Sequence, residues 1–494
     1  MRLFAGVVLA NNYLLGLDVG TSAVKALFID PDTNEIYKDE AKIATHDKSP
    51  EVEQNAEDYL DAIKAIATRN HEKIKLVSAI GLSGHTPSVV CVDESGTPVF
   101  PVMIWQDNRA TKEADELKAR YGNPLPVIGT SLPWAASACP AKLLWLSRHH
   151  PDVVKKTRWV LQPKDYVGFH LTGSAISDPW STKGLCNTQT LKPTTELLSH
   201  IGWSDLVVPE LRDGYQSRGN ITSQGAARTG LPEGIPVSTG WSDAMCGMLA
   251  LGVMTTPTSF VITGTSAIVG SSHQSEISDA GSLYVIPKAC APLTVTYGPT
   301  QMSGGSIAWA AKLFGVSENE IVSEGAHDDG ETAPIFLPYI KGERAPLWRN
   351  DIEGRFVNIN TTHVRSSFAR ATMEGISLAE RQVLEIAEEI NHHRAEKVVL
   401  GGHAGNDARW ERIRARTIGR KILRYEDGDT TTRGASMLAH AMCVGLEKAA
   451  NDLSINPVAT EPTDKEMHYS QRVYKEFLTE QRELLATADR KLSS

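Results

Sequence analysis

One tetrapeptide, Gly-Thr-Ser-Ala, stands at residues 20–23 and again at residues 264–267, once in each half of the 494-residue chain. The first copy follows the apolar run Tyr-Leu-Leu-Gly-Leu-Asp-Val at 13–19 and precedes a second run from Val24 to Ile29. The other copy follows Ser-Phe-Val-Ile-Thr at 259–263 and precedes Ile268 and Val269. Short apolar runs bounded by glycine and hydroxyl residues predict buried strands joined by a tight turn. Each half therefore opens with a β-hairpin. In such a turn, backbone N–H groups and small hydroxyls, uncrowded at glycine, form a concave donor site suited to phosphate oxygens. Two of them facing each other could grip successive phosphates of a nucleotide; two plain hairpin turns are the other reading.

Beyond the hairpins both halves alternate strands and helices. Residues 75–82 and 88–92 read as strands and 56–68 as an amphipathic helix. In the second half, 366–390 has helical spacing, with Phe368, Met373, Ile376, Leu384 and Ile386 as buried positions, and 397–400 is a short buried strand. This order predicts two α/β domains, 13–252 and 253–450, followed by a helical tail at 451–494 in which Tyr469, Val473, Tyr474 and Phe477 pack on the second domain. A net charge of −9 without a block of like charges argues against nucleic acid or an anionic membrane as partner. No apolar run approaches the ~20 residues of a membrane-spanning helix. Residues 1–12 read as an extension rather than a signal peptide, since only Arg2 is basic and no small-residue cleavage site follows. The six cysteines are scattered, which predicts buried free thiols in a reducing compartment, the cytoplasm. The pairs His149-His150 and His392-His393 lie in polar stretches and read as exposed positions rather than metal ligands.

No Walker loop, no G-x-G, no H-E-x-x-H and no G-x-S-x-G occurs. Seven other segments do occur, in a fixed order. They are Asp18-Val-Gly-Thr-Ser-Ala-Val-Lys25; Ile104-Trp-Gln-Asp-Asn-Arg109; Pro140-Ala-Lys-Leu-Leu-Trp-Leu146; Thr239-Gly-Trp-Ser-Asp243; Thr263-Gly-Thr-Ser-Ala267; Phe336-Leu-Pro-Tyr-Ile-Lys-Gly-Glu-Arg-Ala-Pro346, with 354–375 after it; and Gly401-Gly-His-Ala-Gly-Asn406 before Trp410. From about Tyr13 to about Gly445 the chain resembles the FGGY carbohydrate kinases, its nearest likeness being to the xylulokinase-like members. Cys139 stands where that family usually has Pro, Ser or Thr. The resemblance implies two actin-like (ribonuclease-H-like) α/β domains with nucleotide and sugar in an interdomain cleft.

It also implies an enzyme that uses ATP and Mg²⁺ to phosphorylate a hydroxyl of a small ketose, polyol or sugar acid. Asp243 would be the general base, which a high-pKa hydroxyl needs as the transition state forms; a helix cap is the other reading of this residue. Asp18, at a strand end beside the first loop, would act on Mg²⁺, through water, because a bare carboxylate there would repel ATP. Thr21, Ser22, Gly264, Thr265 and Ser266 would hold the phosphates, and Gly401, Gly402 and Asn406 would face adenine and ribose. Sugar contacts would come from Trp105, Asp107, Arg109 and the loop holding His85, Thr86 and Pro87, although Arg109 could equally be part of a structural ion pair. The loop 84–88 departs from the Gln-Met-His-Gly pattern of xylulokinases, and Ala244 stands where those enzymes often have asparagine. Both changes remove polar contacts that discriminate sugars, so the identity of the sugar stays open. A homodimer is compatible with the resemblance. An actin-like ATPase and a sugar-binding paralogue without catalysis remain as alternatives.

Overall fold

The computed structural model describes residues 13–328, 331, 333–402, 407–426 and 429–492. Its contacts divide the chain into two compact units, each described by itself. The first comprises Met1–Thr255, Ile286–Pro292 and Thr430–Ser454, and the second Thr256–Val285, Leu293–Asp429 and Ile455–Ser494.

In the first unit the apolar run at the start becomes strand Tyr13–Val19, which turns at Gly20 into the antiparallel strand Ala23–Ile29, itself followed by antiparallel Ile36–Lys42. Helix Glu57–Arg69 then crosses over to strand Val77–Gly84, which lies parallel to Tyr13–Val19 on its other side. Strands Pro236–Ser238 and Trp241–Ser242 both pair with Val77–Gly84. Leu15, Leu17, Val24, Phe28, Tyr59, Ile63, Ile80 and Leu82 form the core on the helix Glu57–Arg69 side.

The second unit repeats this plan. Strands Ser259–Thr263 and Ala267–His273 form the hairpin, Thr294–Pro299 adds an antiparallel third strand, and Lys397–Gly401 returns parallel to Ser259–Thr263 after the long helix Arg365–Ile390. Met373, Ile376 and Leu384 of that helix are buried, whereas Phe368 and Ile386 are half-buried. The repeated tetrapeptide is thus the visible remnant of a repeated β-β-β-α-β unit, and the fold is two actin-like α/β domains.

Chain order does not settle which unit a segment packs in. Helix Thr430–Val444 lies on the first unit's sheet, close enough that a Cβ at Gly16 would stand 2.2 Å from the Thr432 carbonyl and one at Gly81 1.7 Å from that of Ala435. Side chains at either strand position would lift the helix off, so these two glycines define its seat. By these contacts residues 430–454 go with the first unit, where the sequence bounds assign 430–450 to the second domain. The tail forms helix Asp464–Leu492, and its Val473, Tyr474 and Phe477 pack with Ile335, Leu337, Tyr339 and Leu378 of the second unit. All six cysteines are free and five are buried. Cys443 differs from the expectation: it is exposed near the end of helix Thr430–Val444. Among the described residues no helix is long and apolar enough to cross a membrane.

Candidate active site

The register of the first sheet sets the chemistry. Asp18 pairs with Ser83 across the parallel strands, and Ser83 pairs in turn with Trp241, two residues before Asp243. Three neighbouring strands therefore end together, with Asp18 on one and Asp243 just past another. Ligand sites in parallel α/β sheets form at such carboxyl ends. Ser83 Oγ donates to Asp18 Oδ1 at 2.8 Å. The Cys246 thiol, one turn into helix Asp243–Ala250, feels the charges of both Asp18 and Asp243, and burial holds it well above the ordinary thiol range. The two carboxylates picked from sequence thus converge on one spot.

Asp243 is the first residue of its helix and Ser242 is the cap position, so Asp243 is not the N-cap. Its Oδ1 accepts the Ala244 N–H at 2.7 Å. Burial raises its pKa to about 6, opposed by that hydrogen bond and by the Lys183 ammonium. A carboxylate tuned upward in this way takes a proton more readily than an ordinary one while remaining ionised at neutral pH.

The first loop is closed by the Gly20 N–H bond to the Ala23 carbonyl. Its carbonyls are pinned from outside: Gln54 Nε2 and Thr45 Oγ1 donate to Thr21, and the Ile43 N–H donates to Ser22. Ser22 itself is exposed. Trp105, 44% exposed, donates its indole N–H to Thr21 Oγ1 at 3.0 Å, which ties the 104–109 segment to this loop. Asp107 and Arg109 in the same segment turn to each other. Asp107 is fully buried and accepts the Val52 N–H, and Arg109 pairs with it at 2.6 Å and with Glu53 at 2.7 Å while lying over Trp145. That is the structural ion pair weighed for Arg109.

The segment 84–88 divides similarly. His85 is buried, its Nδ1 bonded to Ser88 Oγ at 2.9 Å and its ring edge-on to Tyr59; burial drops its pKa to about 3, so it is neutral. Thr86 and Pro87 are half-exposed. Reading the sequence did not single out Lys142, which builds this wall. Entirely buried, its Nζ donates to the carbonyls of Pro87 at 3.2 Å, Met103 at 3.1 Å and Ile104 at 2.7 Å. One side chain thereby fixes both the 86–87 loop and the strand end carrying Trp105, although burial lowers its pKa to about 7. A lysine inside the otherwise apolar run of helix Cys139–His149 was the available signal. We expect Lys142→Met to leave the Pro87 carbonyl without its donor and to remove one of the two bonds at each of the Met103 and Ile104 carbonyls, which also accept the Val89 and Asp107 N–H groups. The cost should be about 1–3 kcal/mol. Misplacement of roughly 1 Å at the loop would lower acceptor kcat/KM on the order of 10²-fold. Thermal denaturation and steady-state kinetics check both; an unchanged Tm would contradict the clamp.

In the second unit the loop 263–267 is held by the start of helix Gly304–Phe314. Ser303 and Gly305 donate their N–H groups to the Thr265 carbonyl and Gly304 donates to that of Gly264. Thr265 is exposed and Gly264 and Ser266 are half-exposed. Gly401 and Gly402 meet this loop: Thr263 Oγ1 donates to the Gly401 carbonyl, and at Gly402, with φ +88°, a Cβ would stand 2.0 Å from the Thr263 carbonyl. Only glycine fits there. Asn406 lies outside the described residues.

Among the described residues no cluster of three His, Cys, Asp or Glu side chains could hold a metal. Asp18 alone suits magnesium, which keeps most of its waters and takes one or two carboxylates plus the phosphates of a nucleotide.

Residues 13–250 match the N-terminal domain, and residues 260–443 the C-terminal domain, of the FGGY family of carbohydrate kinases. The chain is 27% identical over 438 residues to the xylulose kinase of Bacillus subtilis strain 168, covering 86% of this chain and 87% of that protein. It is 25% identical over 455 residues to the gluconokinase of Bacillus licheniformis, covering 87% of each. The crystal structure of a xylulose kinase from Rhodospirillum rubrum superposes with a TM-score of 0.86 at 21% identity, covering 97% of this chain and all of that one. The protein is a phosphotransferase with an alcohol group as acceptor, acting on sugars with ATP and Mg²⁺. It belongs to the FGGY family of carbohydrate kinases.

Proposed function

We propose that the protein transfers the γ-phosphoryl group of ATP to a hydroxyl of a small ketose, polyol or sugar acid, with Asp243 as general base. The observation that carries this reading is the convergence of Asp18 and Asp243 at one sheet end around Ser83 and Cys246. In the reaction the acceptor hydroxyl gives its proton to the Asp243 carboxylate as its oxygen forms the new bond to phosphorus. The bond from that phosphorus to the β-phosphate oxygen breaks and ADP leaves with the electron pair. Phosphoryl transfer asks the protein chiefly for such positioning and charge neutralisation. Asp18 would hold magnesium through water, and the ion would supply positive charge to the phosphates. Thr21, Ser22, Gly264, Thr265 and Ser266 would contact phosphate oxygens, Gly401, Gly402 and Asn406 the nucleoside, and Trp105, Thr86 and Pro87 the acceptor. His85, Asp107 and Arg109 support that wall from within. The free thiols suit a cytoplasmic enzyme, and a homodimer is compatible with this role.

The test is a panel of pentuloses, hexuloses, polyols and aldonates incubated with the protein and Mg·ATP, following ADP. Release that depends on one class of acceptor is expected. ADP release indifferent to every acceptor would favour an actin-like ATPase, and none at all a sugar-binding paralogue without catalysis.

A further inference from the structure

Lys183 forms no ion pair among the described residues. It sits in the turn 178–184, half-buried among otherwise buried neighbours, and lies near enough to Asp243 for each charge to act on the other. Its Nζ donates one hydrogen bond, to the Trp180 carbonyl at 3.2 Å, and stands 5.0 Å from the centre of the Trp180 ring. The indole face below an ammonium fixes and partly desolvates it. An ammonium has three donors, and the other two find no acceptor among the described residues. Asp178 is close, but it is already engaged: Lys164, fully buried, bridges Asp178 at 2.9 Å and Asp165 at 2.5 Å. The remaining ionisable neighbours are Asp243, which forms no ion pair with Lys183, and the Cys139 and Cys290 thiols, which burial holds in their neutral forms. A partly desolvated cation is costly unless something pairs with it.

We infer that Lys183 selects the acceptor by holding the carboxylate of a sugar acid while Asp243 takes the proton from a hydroxyl of the same molecule. The inference rests on the reading of Asp243 as base. With Asp18, Asp243 and a polyphosphate in play, a second organic anion would be repelled; a lysine with two donors to spare, within electrostatic reach of the base, removes that objection. A neutral ketose or alditol offers the ammonium hydroxyl oxygens but no charge. A carboxylate offers both, and bonds between charged groups are the stronger kind.

The experiment compares D-gluconate and D-xylonate with their neutral counterparts D-glucitol and xylitol, and with D-xylulose, using Mg·ATP and the wild-type protein, Lys183→Met, Lys183→Gln and Lys183→Arg. The wild type is expected to favour an aldonate over its alditol in kcat/KM. In Lys183→Met that ratio should fall on the order of 10–100-fold, chiefly through KM, and Lys183→Arg should restore most of it. Lys183→Gln serves if the Met variant fails to fold. Preference for a neutral acceptor, or a fall of the same factor for both acceptors, would overturn the inference and leave the kinase reading intact. Calorimetric titration of the same aldonates without nucleotide separates the two ideas. If no acceptor supports turnover, the kinase reading fails, while aldonate binding that is lost in Lys183→Met still supports the carboxylate site. Absence of aldonate binding to the wild type would refute that site.

Discussion

Asp243→Asn should abolish most phosphoryl transfer and make the folded protein slightly more stable at neutral pH. Removal of a positioned base costs on the order of 10²–10⁴ in rate, and Asn keeps the shape and the acceptor for the Ala244 N–H while losing the ability to take a proton. The stability effect follows from the same burial. The folded-state pKa, about 6, lies above the ordinary carboxylate value of 3.8. A raised value means that stability is complete below the unfolded-state pKa and is lost as pH rises through the folded-state one. The ionised carboxylate therefore weighs on the fold at pH 7.5, and Asn relieves it, raising Tm by roughly 2 °C. The Tm difference between the two proteins should shrink toward pH 4. In the wild type, log kcat/KM should bend downward with acid near pH 6, since that profile reports the free enzyme's essential groups. In Lys183→Met the bend should move to higher pH, because the ammonium lowers the Asp243 pKa. Full activity of Asp243→Asn, or a profile flat down to pH 5, would remove Asp243 from the role of base.

Arg414→Met should be the most destabilising single change in the second unit. Arg414 and Glu380 are both fully buried and joined by two bonds, at 2.9 and 3.1 Å, and Ser303 Oγ donates to the same carboxylate at 3.2 Å. Loss of Arg414 leaves an uncompensated buried charge, a defect worth about 3–5 kcal/mol. The consequence reaches the second loop, because Ser303 also holds the Thr265 carbonyl through its N–H. The KM for ATP should rise along with the loss of stability in urea. The double variant Arg414→Met with Glu380→Met should recover much of the stability, since an apolar pair of similar volume often replaces a buried ion pair at little cost. Equal destabilisation in the single and double variants would show that packing around Trp410, rather than charge, is what the arginine provides.

Much of this was legible in the sequence. The two hairpins, the helix now placed at Glu57–Arg69 and the strand Lys397–Gly401 are marked by local pattern, because apolar period and turn residues act over a few positions. Asp18 and Asp243 were found as separate motifs, but their meeting depends on strand register, which no short segment encodes. The same limit hid the place of Thr430–Val444: its seat is prepared by Gly16 and Gly81, hundreds of residues earlier. Side-chain direction was the other gap. His85 and Arg109 sit in stretches with the right chemistry, yet one turns toward Tyr59 and the other toward Asp107 and Glu53. Lys142 and Lys183 went unnoticed because a lysine in sequence reads as solvated surface. Their meaning comes from what surrounds them: three carbonyls in one case, and in the other an indole face with no ion pair among the described residues.

The most direct test of sugar phosphorylation is ³¹P NMR of a reaction holding Mg·ATP and the best acceptor of the panel. A phosphate-ester resonance growing in step with ADP, with little inorganic phosphate, is the predicted result. Inorganic phosphate as the sole partner of ADP would contradict it and identify an ATPase.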